Sequence, residues 1–528
     1  MLRIGIDVGG THTDAVLLRG DELLAWTKQL TTSDVLSGVL QALEVVLSEH
    51  PGIEPDIEAI MLGTTQFTNA VIERQQLAEV AAIRIGLPSG RGLPPKVGWP
   101  EDIARALGDN VYQIHGGTLY DGWPLAKPQA REIKLVIDDL KQKRVEAVAI
   151  SAAFSPMNPE PEAELARQIR AELPDAHITQ SHQIGGLGIL ERENAALLNT
   201  SLLKFADRVV DAFVTAVQQR GLKCRFFISQ NDGTLMQADF ARHFPALTFA
   251  SGPTNSLRGA SRLTGIDNAI VVDIGGTTSD IGVLADGFPR ESNVVIEVGG
   301  VRTNFRMPDI LAIGLGGGSR VSEDGQSVGP TSVGHQLVQE GLVFGGNTLT
   351  ATDIAVASAG HEVGEPSRVS HLDPVLVHQA SDTMHSLLDQ NIERMKASSD
   401  PVPVILVGGG TLLVNQPLAA ASETVQPDYA GVANAMGAAI AQVGGEAERM
   451  VSYAAEPREL ALKQVRQQAC EAAVAAGAAA DSLRVVDLEE TTMSYMNDNT
   501  VRLRVRVVGN IAGLSGEDSQ NTAEGSLQ

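Results

Sequence analysis

Two glycine-rich turns contain the residues of this chain whose types and spacing suit phosphate chemistry. The first is Asp7-Val8-Gly9-Gly10-Thr11-His12-Thr13-Asp14, and half a chain later Asp273-Ile274-Gly275-Gly276-Thr277-Thr278-Ser279-Asp280 nearly repeats it. Glycines let a backbone approach a ligand closely, and consecutive N–H groups then form a concavity that binds anions. Threonine hydroxyls add further donors. Each turn is therefore a candidate phosphate-binding site.

The residues predicted to contact the phosphates lie inside the two turns: Gly9, Gly10, Thr11, His12, Thr13, Gly275, Gly276, Thr277 and Thr278. The leading aspartates, Asp7 and Asp273, end apolar strands. Each could hold a hydrated Mg²⁺, since this ion prefers a carboxylate together with waters and phosphate oxygens. Either turn alone could equally be a tight hairpin with capping Asp and Thr, and His12 could be a turn residue. The repeat favours two similar lobes that clasp one nucleotide.

A third glycine-rich element follows the apolar run 404–407 and consists of Gly408, Gly409, Gly410 and Thr411. An adenine and its ribose can lie flat on backbone without side chains, although a tight turn is the simpler interpretation of such a strand end. The P-loop pattern GxxxxGK[ST] is absent, and the segment 314–319 does not complete a dinucleotide fingerprint. The predicted cofactors are ATP and Mg²⁺.

The composition argues against several other functions. The formal net charge of −24 repels nucleic acid and anionic membranes, so neither is an expected partner. No apolar stretch of membrane-spanning length and no export signal are visible. The two cysteines, Cys224 and Cys470, are far apart and do not suggest a disulfide framework. These features predict a cytoplasmic protein.

The elements that position the turns must belong to more than one core, because 528 residues exceed what one core usually organises. Hydrophobic patterning predicts a hairpin at 3–18, a helix at about 33–49, a long helix at about 190–218 and a second hairpin at 269–284. The predicted units are an N-terminal lobe at 1–185 with an insertion near 88–127, a second lobe at 186–446, a small α+β appendage at 447–512 and a disordered tail at 513–528.

With these three elements in order, the chain resembles the actin, heat-shock chaperone and sugar-kinase superfamily, and more closely the hydantoinase/oxoprolinase family. The segments that carry the closer resemblance are 63–70, 191–194 with Asn199, 229–233, 251–253 and 313–319. The resemblance implies an α/β fold with two ribonuclease H-like, actin-like ATPase lobes around a nucleotide cleft, plus the small C-terminal appendage.

The family resemblance also implies a reaction. ATP would phosphorylate the carbonyl oxygen of a cyclic amide such as hydantoin, 5-oxoproline or a related lactam, and water would then attack the activated carbon. A second hydrolase subunit is generally needed in this family, and an oligomer is expected. The catalytic residues would be Asp7, Asp273, Asp14 and Asp280, of which the last two would fix the turns or orient water.

The substrate cleft would be lined by Thr64, Thr65, Asn69, Asp309, Gly317 and Ser319. For the two threonines a helix N-cap is an alternative, and the loop with Gly317 and Ser319 could be a simple connection. Glu191 and Glu193 could act as acid or base, although charges that open a helix usually face solvent. Asp353 could simply cap a helix.

Other functions remain open from the sequence. A small-molecule kinase would release a phosphorylated product, and the ATPase subunit of a ketone carboxylase has a similar pattern. A non-catalytic ATP-driven switch or activator would use the nucleotide only to move its lobes. The sequence does not name the ring, the partner or the oligomeric state.

Overall fold

The computed structural model describes residues 2–31, 35–120, 122–292, 295–493 and 499–512. Its α-helices are α1 (Val35–Ser48), α2 (Gln66–Glu73), α3 (Glu101–Ala106), α4 (Ala130–Gln142), α5 (Glu160–Glu172), α6 (Ile189–Gln219), α7 (Ala238–His243), α8 (Ser251–Thr264), α9 (Leu337–Glu340), α10 (Ala351–Ala359), α11 (Pro374–Met395), α12 (Ala433–Ile440) and α13 (Arg458–Ala475).

The strands are β1 (Leu2–Val8), β2 (His12–Arg19), β3 (Glu22–Leu30), β4 (Ile57–Thr64), β5 (Ala81–Leu87), β6 (Val111–His115), β7 (Ala147–Ala152), β8 (His177–Gln180), β9 (Arg225–Ser229), β10 (Leu235–Gln237), β11 (Ala269–Ile274), β12 (Ser279–Ala285), β13 (Phe288–Pro289), β14 (Ile296–Val298), β15 (Val301–Thr303), β16 (Ile310–Ile313), β17 (Ser319–Val321), β18 (Val328–Ser332), β19 (Val402–Val407), β20 (Ala421–Val425), β21 (Val443–Ser452), β22 (Arg484–Thr492) and β23 (Thr500–Gly509).

Two sheets share one strand order, which confirms the α/β fold with two ribonuclease H-like lobes. In the first sheet the order β3-β2-β1-β4-β9 has antiparallel pairs on one side of β1 and parallel pairs on the other. In the second sheet the order β13-β12-β11-β19-β20 has the same pattern around β11. Both central strands are apolar and almost wholly buried, as a strand covered on both faces must be.

The first sheet is extended by strands that come from far along the chain. Antiparallel β10 follows β9, and β21, β23 and β22 continue the sheet to nine strands. Alternate residues of β23 turn an apolar face to α13 and a charged face to the other side. The sheet therefore crosses the proposed boundaries at 185 and 446, and the division into domains stays a proposal. The predicted tail, 513–528, lies outside the described residues.

A separate sheet, with the order β6-β5-β7-β8, is parallel throughout and is flanked by α4 and α5. The predicted insertion near 88–127 contributes α3 and β6, and β6 becomes an edge strand of this sheet. Arg84 of β5 and Glu193 of α6 form a buried ion pair that joins this sheet to the long helix. Within the described residues no helix is long and apolar enough to cross a membrane.

Two helices, α8 and α12, lie between the two main sheets and cross closely. Helix α8 packs against β11, β12 and β19 of the second sheet, whereas α12 packs against β1, β2 and β4 of the first. Glycines make the close crossing possible: a side chain at Gly259 would overlap the backbone of Ala433, and one at Gly437 would overlap the backbone of Asn255. A side chain at Gly5 would likewise overlap α12. The helix pair therefore couples the two lobes at their centre.

Candidate functional site

The two glycine-rich turns have the same geometry. In the first, Gly9 N donates to His12 O at 2.9 Å, and in the second, Gly275 N donates to Thr278 O at 2.9 Å. The registers also match, because Asp7 lies opposite Asp14 and Asp273 lies opposite Asp280. The repeat seen in the sequence is thus a repeat in three dimensions.

The two turns face each other across the gap between the lobes. A Cβ atom placed on Gly276 would lie 3.7 Å from Thr11 Cγ2 and 3.8 Å from Thr11 Oγ1. At Gly10 an added Cβ would meet no protein atom within 4 Å. The structure therefore brings the predicted phosphate-binding residues together and leaves open space at the tip of the first turn.

Not every residue of the turns is free to meet a ligand. Thr13 is fully buried and its hydroxyl lies 3.3 Å from the hydroxyl of Thr31. His12 Nδ1 lies 3.1 Å from Thr11 Oγ1, and burial, followed by the charge of Lys28, lowers the pKa of this imidazole. The His12 imidazole is therefore neutral at neutral pH. In the second turn, Thr277 and Thr278 are exposed and free to meet a ligand.

The leading aspartates are held by side chains from the central helices. Asn255 Nδ2 donates to Asp7 Oδ1 at 3.1 Å, and the next residue of α8, Ser256, donates from Oγ to Asp273 Oδ2 at 2.6 Å. Asn434 of α12 donates to Asp7 Oδ2 at 3.4 Å. One pair of helices thus fixes both carboxylates.

The aspartates behind the turns lie in an environment that opposes their ionisation. Burial raises the pKa of Asp7 and of Asp273, against the hydrogen bonds that favour their charged forms. Burial also raises the pKa of Asp14 to about 7, although Lys28 opposes this shift. For Asp280, burial and the charge of Asp273 raise the pKa to about 7. A cation that enters the site would relieve this cost.

The chemistry of the donors fits Mg²⁺ bound mainly through phosphate and water. Within the described ranges no group of three or more His, Cys, Asp or Glu side chains could by itself hold a metal ion. Asp7 and Asp273 offer two buried carboxylates, and Mg²⁺ usually takes one or two carboxylates in nucleotide sites. These two residues are the ones that would hold the ion.

The third glycine-rich element lies beside the second turn. Gly410 N donates to Ile274 O at 2.8 Å, and a side chain at Gly408 would overlap the carboxylate of Asp273. Thr411 is buried, and its hydroxyl accepts a hydrogen bond from Gln426 at 3.0 Å. The structure therefore joins the segment 408–410 to the second turn, and its role as an adenosine platform stays a prediction.

The segment with Gly317 and Ser319 lies against the second turn rather than across the cleft. Gly317 N donates to Gly275 O at 3.0 Å, and Gly318 N donates to Gly276 O at 2.7 Å. The buried Ser319 hydroxyl accepts from Gly316 N at 2.9 Å. These contacts stabilise the second turn through its backbone carbonyls.

The segment with Thr64 and Thr65 lies against the first turn. Thr65 Oγ1 donates to Val8 O at 3.4 Å, and Thr64 Oγ1 accepts from Gln66 N at 3.3 Å at the start of α2. A side chain at Gly63 would overlap Asp7 and Asn255, so this strand end can approach the carboxylate only as glycine. Asn69, one turn further along α2, is exposed.

Three acidic candidates have structural partners away from the turns. Asp309 accepts from Arg290 at 2.6 Å, at the end of β12 remote from the second turn, so its placement does not support a substrate contact. Glu193 is held by Arg84 and by Ser151, the latter at 2.6 Å. Asp353 completes a capping box with Thr350 at the start of α10. Glu191 lies in the first turn of α6.

A cavity of about 760 Å³ lies apart from the site formed by the turns. It lies between the β12–β13 turn and the charged face of β23, where Arg502, Arg504 and Arg506 project. Arg504 bonds Glu291 at 2.7 Å and Glu446 at 2.8 Å. The residue chemistry at the turns, rather than cavity size, identifies the candidate nucleotide site.

Four residues of the site were not predicted from the sequence: Lys28, Asn255, Ser256 and Asn434. Lys28 Nζ donates to both carboxylate oxygens of Asp14 at 2.9 Å. The segment 251–253 is one of those that carry the family resemblance, and its position just before Asn255 and Ser256 was the available signal.

Comparison with known proteins gives matches along most of the chain. Residues 3–173 match the model of the hydantoinase/oxoprolinase N-terminal region, and residues 192–359 match the hydantoinase/oxoprolinase model. Among curated proteins, the alpha subunit of caprolactamase from Pseudomonas jessenii is 27% identical in a 389-residue alignment that covers 67% of this chain and 54% of that protein. The gamma subunit of acetophenone carboxylase from Aromatoleum aromaticum is 26% identical in a 392-residue alignment that covers 67% of this chain and 52% of that protein. The chain thus spans about half the length of these relatives.

Two solved structures share the fold. The ATP-dependent caprolactamase from Pseudomonas jessenii superposes with a TM-score of 0.75 at 20% identity and covers 96% of this chain and 87% of that one. Nucleotide-free acetone carboxylase superposes with a TM-score of 0.67 at 17% identity and covers 96% of this chain and 88% of that one.

Proposed function

The chain belongs to the hydantoinase/oxoprolinase family, and from this premise we propose that it is the ATP-dependent subunit of an enzyme that opens a cyclic amide. One observation supports ATP as the energy source: the two turns lie close together, and Thr11 of the first faces Gly276 of the second. One triphosphate between them would meet backbone N–H groups from both lobes.

The proposed reaction begins with transfer of the terminal phosphoryl group of ATP to the carbonyl oxygen of the ring, and ADP leaves. Water then adds to the activated carbon, and the carbon–nitrogen bond breaks with its electron pair and a proton on nitrogen. A second water releases inorganic phosphate and leaves a carboxylate. An amide carbonyl is a poor electrophile; phosphorylation of its oxygen makes the carbon electrophilic enough for the first water to add, and phosphate is the group that leaves when the second water reacts.

The residues of the site have distinct roles in this proposal. The N–H groups of the two turns bind and orient the phosphates, and closure of the lobes excludes water before transfer. Asp7 and Asp273 would hold Mg²⁺, which when bound neutralises phosphate charge. Asn255, Ser256 and Asn434 keep these carboxylates oriented. Asp14 and Asp280, with pKa values raised to about 7, are placed to fix the turns or exchange a proton with water.

A second subunit is part of the proposal. The relatives are named as the alpha and gamma subunits of their enzymes, and the matched segments cover about half of each relative. The chain alone would then show ATP binding and slow hydrolysis, and the complete reaction would need its partner.

A second candidate function is the ATPase subunit of a carboxylase that acts on a ketone. The chain is almost as similar to the acetophenone carboxylase gamma subunit, at 26% identity, as to the caprolactamase alpha subunit, at 27% identity. In this reaction ATP would activate the oxygen of an enolised ketone or of bicarbonate, which uses the same phosphate site.

Product analysis separates the candidates. The protein, with and without a candidate second subunit, is incubated with Mg-ATP and hydantoin, 5-oxoproline, caprolactam, or acetophenone with bicarbonate. Ring opening with one phosphate released per ring supports the cyclic-amide reaction, and carbon-labelled bicarbonate fixed into acetophenone supports the carboxylase. A stable phosphorylated substrate would contradict both and favour a kinase. Tight ATP binding without turnover on any substrate would favour a switch.

A further inference from the structure

The two copies of the strand-turn-strand unit differ in one cation. In the first lobe, Asp7, Asp14 and Lys28 lie side by side across β1, β2 and β3. In the second lobe, Asp280 has Ala312 of β16 as the neighbour on its other side. An ammonium group therefore stands in the first lobe where the second has a methyl group.

Lys28 reaches from the first lobe to the second. Its Nζ donates to Asp14 and, at 2.9 Å, to the carbonyl of Gly431, in the turn that leads into α12. Its Cε lies 3.7 Å from the position of a Cβ on Gly409. The ammonium thus lies where the back of the first turn, the third glycine-rich element and α12 meet.

The charge of Lys28 acts on three of the four carboxylates of the site. Its charge favours the ionised forms of Asp7, Asp14 and Asp273, and it disfavours protonation of His12. Its side chain is 27% exposed, so solvent and ligands can reach it. A triphosphate between the turns would bring several negative charges next to four carboxylates, and a cation at this position reduces the repulsion.

We propose that Lys28 binds the terminal phosphate of the nucleotide, and that the ammonium moves from Asp14 to that phosphate when the nucleotide binds. This inference rests on the proposed function, because it needs ATP between the turns. Both bonds are charge-assisted, but a terminal phosphate carries more negative charge than one carboxylate, which favours the exchange. Asp14 is the place where the ammonium is held while the site is free of nucleotide.

A purely structural role for Lys28 makes a different prediction. If Lys28 only joins the lobes through Asp14 and Gly431, its loss would weaken ADP and ATP binding to the same extent. If it contacts the terminal phosphate, its loss would weaken ATP binding alone. The ratio of the two affinities is therefore the informative quantity.

Titration calorimetry of the full chain with Mg-ATP and Mg-ADP tests the proposal. We expect Lys28→Met to lose at least about tenfold in ATP affinity while ADP affinity stays within about twofold, since tenfold corresponds to one charge-assisted hydrogen bond. Lys28→Arg keeps the charge and is expected to recover part of the ATP affinity. The matched control is Lys141→Met, a surface lysine paired with Glu172, which should change neither affinity.

The double variant Lys28→Met with Asp14→Asn excludes an indirect effect, because it removes the carboxylate that Lys28→Met leaves without its partner. We expect its ATP affinity to remain low. Recovery of wild-type ATP affinity in the double variant would overturn the role of Lys28 and leave the proposed function standing. An equal loss of ADP and ATP affinity in Lys28→Met would do the same. Wild-type protein that binds neither nucleotide would overturn the proposed function and this role with it.

Discussion

Asn255 and Ser256 are neighbours on α8, yet each binds the leading aspartate of a different lobe. Asn255 holds Asp7 at 3.1 Å and Ser256 holds Asp273 at 2.6 Å. One turn of helix therefore sets the relative position of two carboxylates that lie half a chain apart in sequence. Since α8 also crosses α12 closely, a change in the angle between the lobes must change the geometry of both carboxylates together.

Removal of the Ser256 hydroxyl should reduce turnover without unfolding the protein. We expect Ser256→Ala to lower the rate of Mg-ATP hydrolysis by about 10- to 100-fold, the usual effect of losing a group that orients a metal ligand. Ser261→Ala is the matched control, because Ser261 lies on the same helix and bonds Asp267 at 2.8 Å away from the site. Equal rates for the two variants would contradict the positioning role of Ser256.

Neutralising either leading aspartate should abolish hydrolysis. Asp7→Asn and Asp273→Asn keep the side-chain size, so the fold should persist, while the carboxylate that would hold Mg²⁺ is lost. We expect a fall of about 100-fold or more in the rate of phosphate release. The Asp267→Asn variant, at the far end of the hairpin, serves as the control. Full activity in both site variants would remove the basis for their assigned roles.

A substitution at Gly10 can test ligand contact with little change in the stability of the fold. An added Cβ there meets no protein atom, so Gly10→Ala should change the free energy of unfolding by no more than about 1 kcal/mol. If a phosphate lies against this backbone, the same methyl group should weaken Mg-ATP binding by about tenfold. Gly92→Ala, also without protein neighbours at the new Cβ, should affect neither quantity. Unchanged nucleotide affinity in Gly10→Ala would place the phosphates elsewhere.

Glu446 should make stability depend on pH. Burial raises the pKa of this carboxyl to about 8, against the charge of Arg306 and with the charges of Glu291 and Glu448. The folded protein therefore keeps a proton that the unfolded chain releases, and its stability falls as pH rises from about 4.5 to about 8. Glu446→Gln has no such proton, so it should gain stability relative to wild type between pH 5.5 and pH 8.5.

Urea unfolding at several pH values measures this gain. Glu490→Gln is the control, because Arg458 lowers the pKa of Glu490, which is then ionised in both states above about pH 5.5. Its stability difference from wild type should therefore be constant over the same range. A constant difference for Glu446→Gln as well would contradict a raised pKa at this position.

The sequence reveals the parts of the site that are local in the chain. Each phosphate turn is one short segment with its own hydrogen-bond pattern, so glycine spacing alone is informative, and the long helix α6 (Ile189–Gln219) follows from uninterrupted patterning. Lys28, Asn255, Ser256 and Asn434 belong to no glycine-rich motif. Each is a single polar residue in a strand or helix, and its role depends on which distant carboxylate it meets.

Sheet order is harder to predict for the same reason. The strand β9 (Arg225–Ser229) pairs in parallel with β4, about 165 residues earlier, although it follows the long helix in the chain. Parallel pairing depends on contacts across the whole chain and not on any local pattern. Asp309 was predicted from the sequence to line the substrate cleft, but the structure pairs it with Arg290. This ion pair joins residues that lie apart in the chain and has no signal in the local sequence.

The most direct test of the central claim is the structure of the protein with Mg²⁺ and a non-hydrolysable ATP analogue. The account predicts that the triphosphate lies between the two turns, within hydrogen-bond distance of backbone N–H groups at 9–11 and 275–277 and with the ion beside Asp7 and Asp273. A nucleotide bound instead in the arginine-lined cavity at the other end of the β12 hairpin would contradict it.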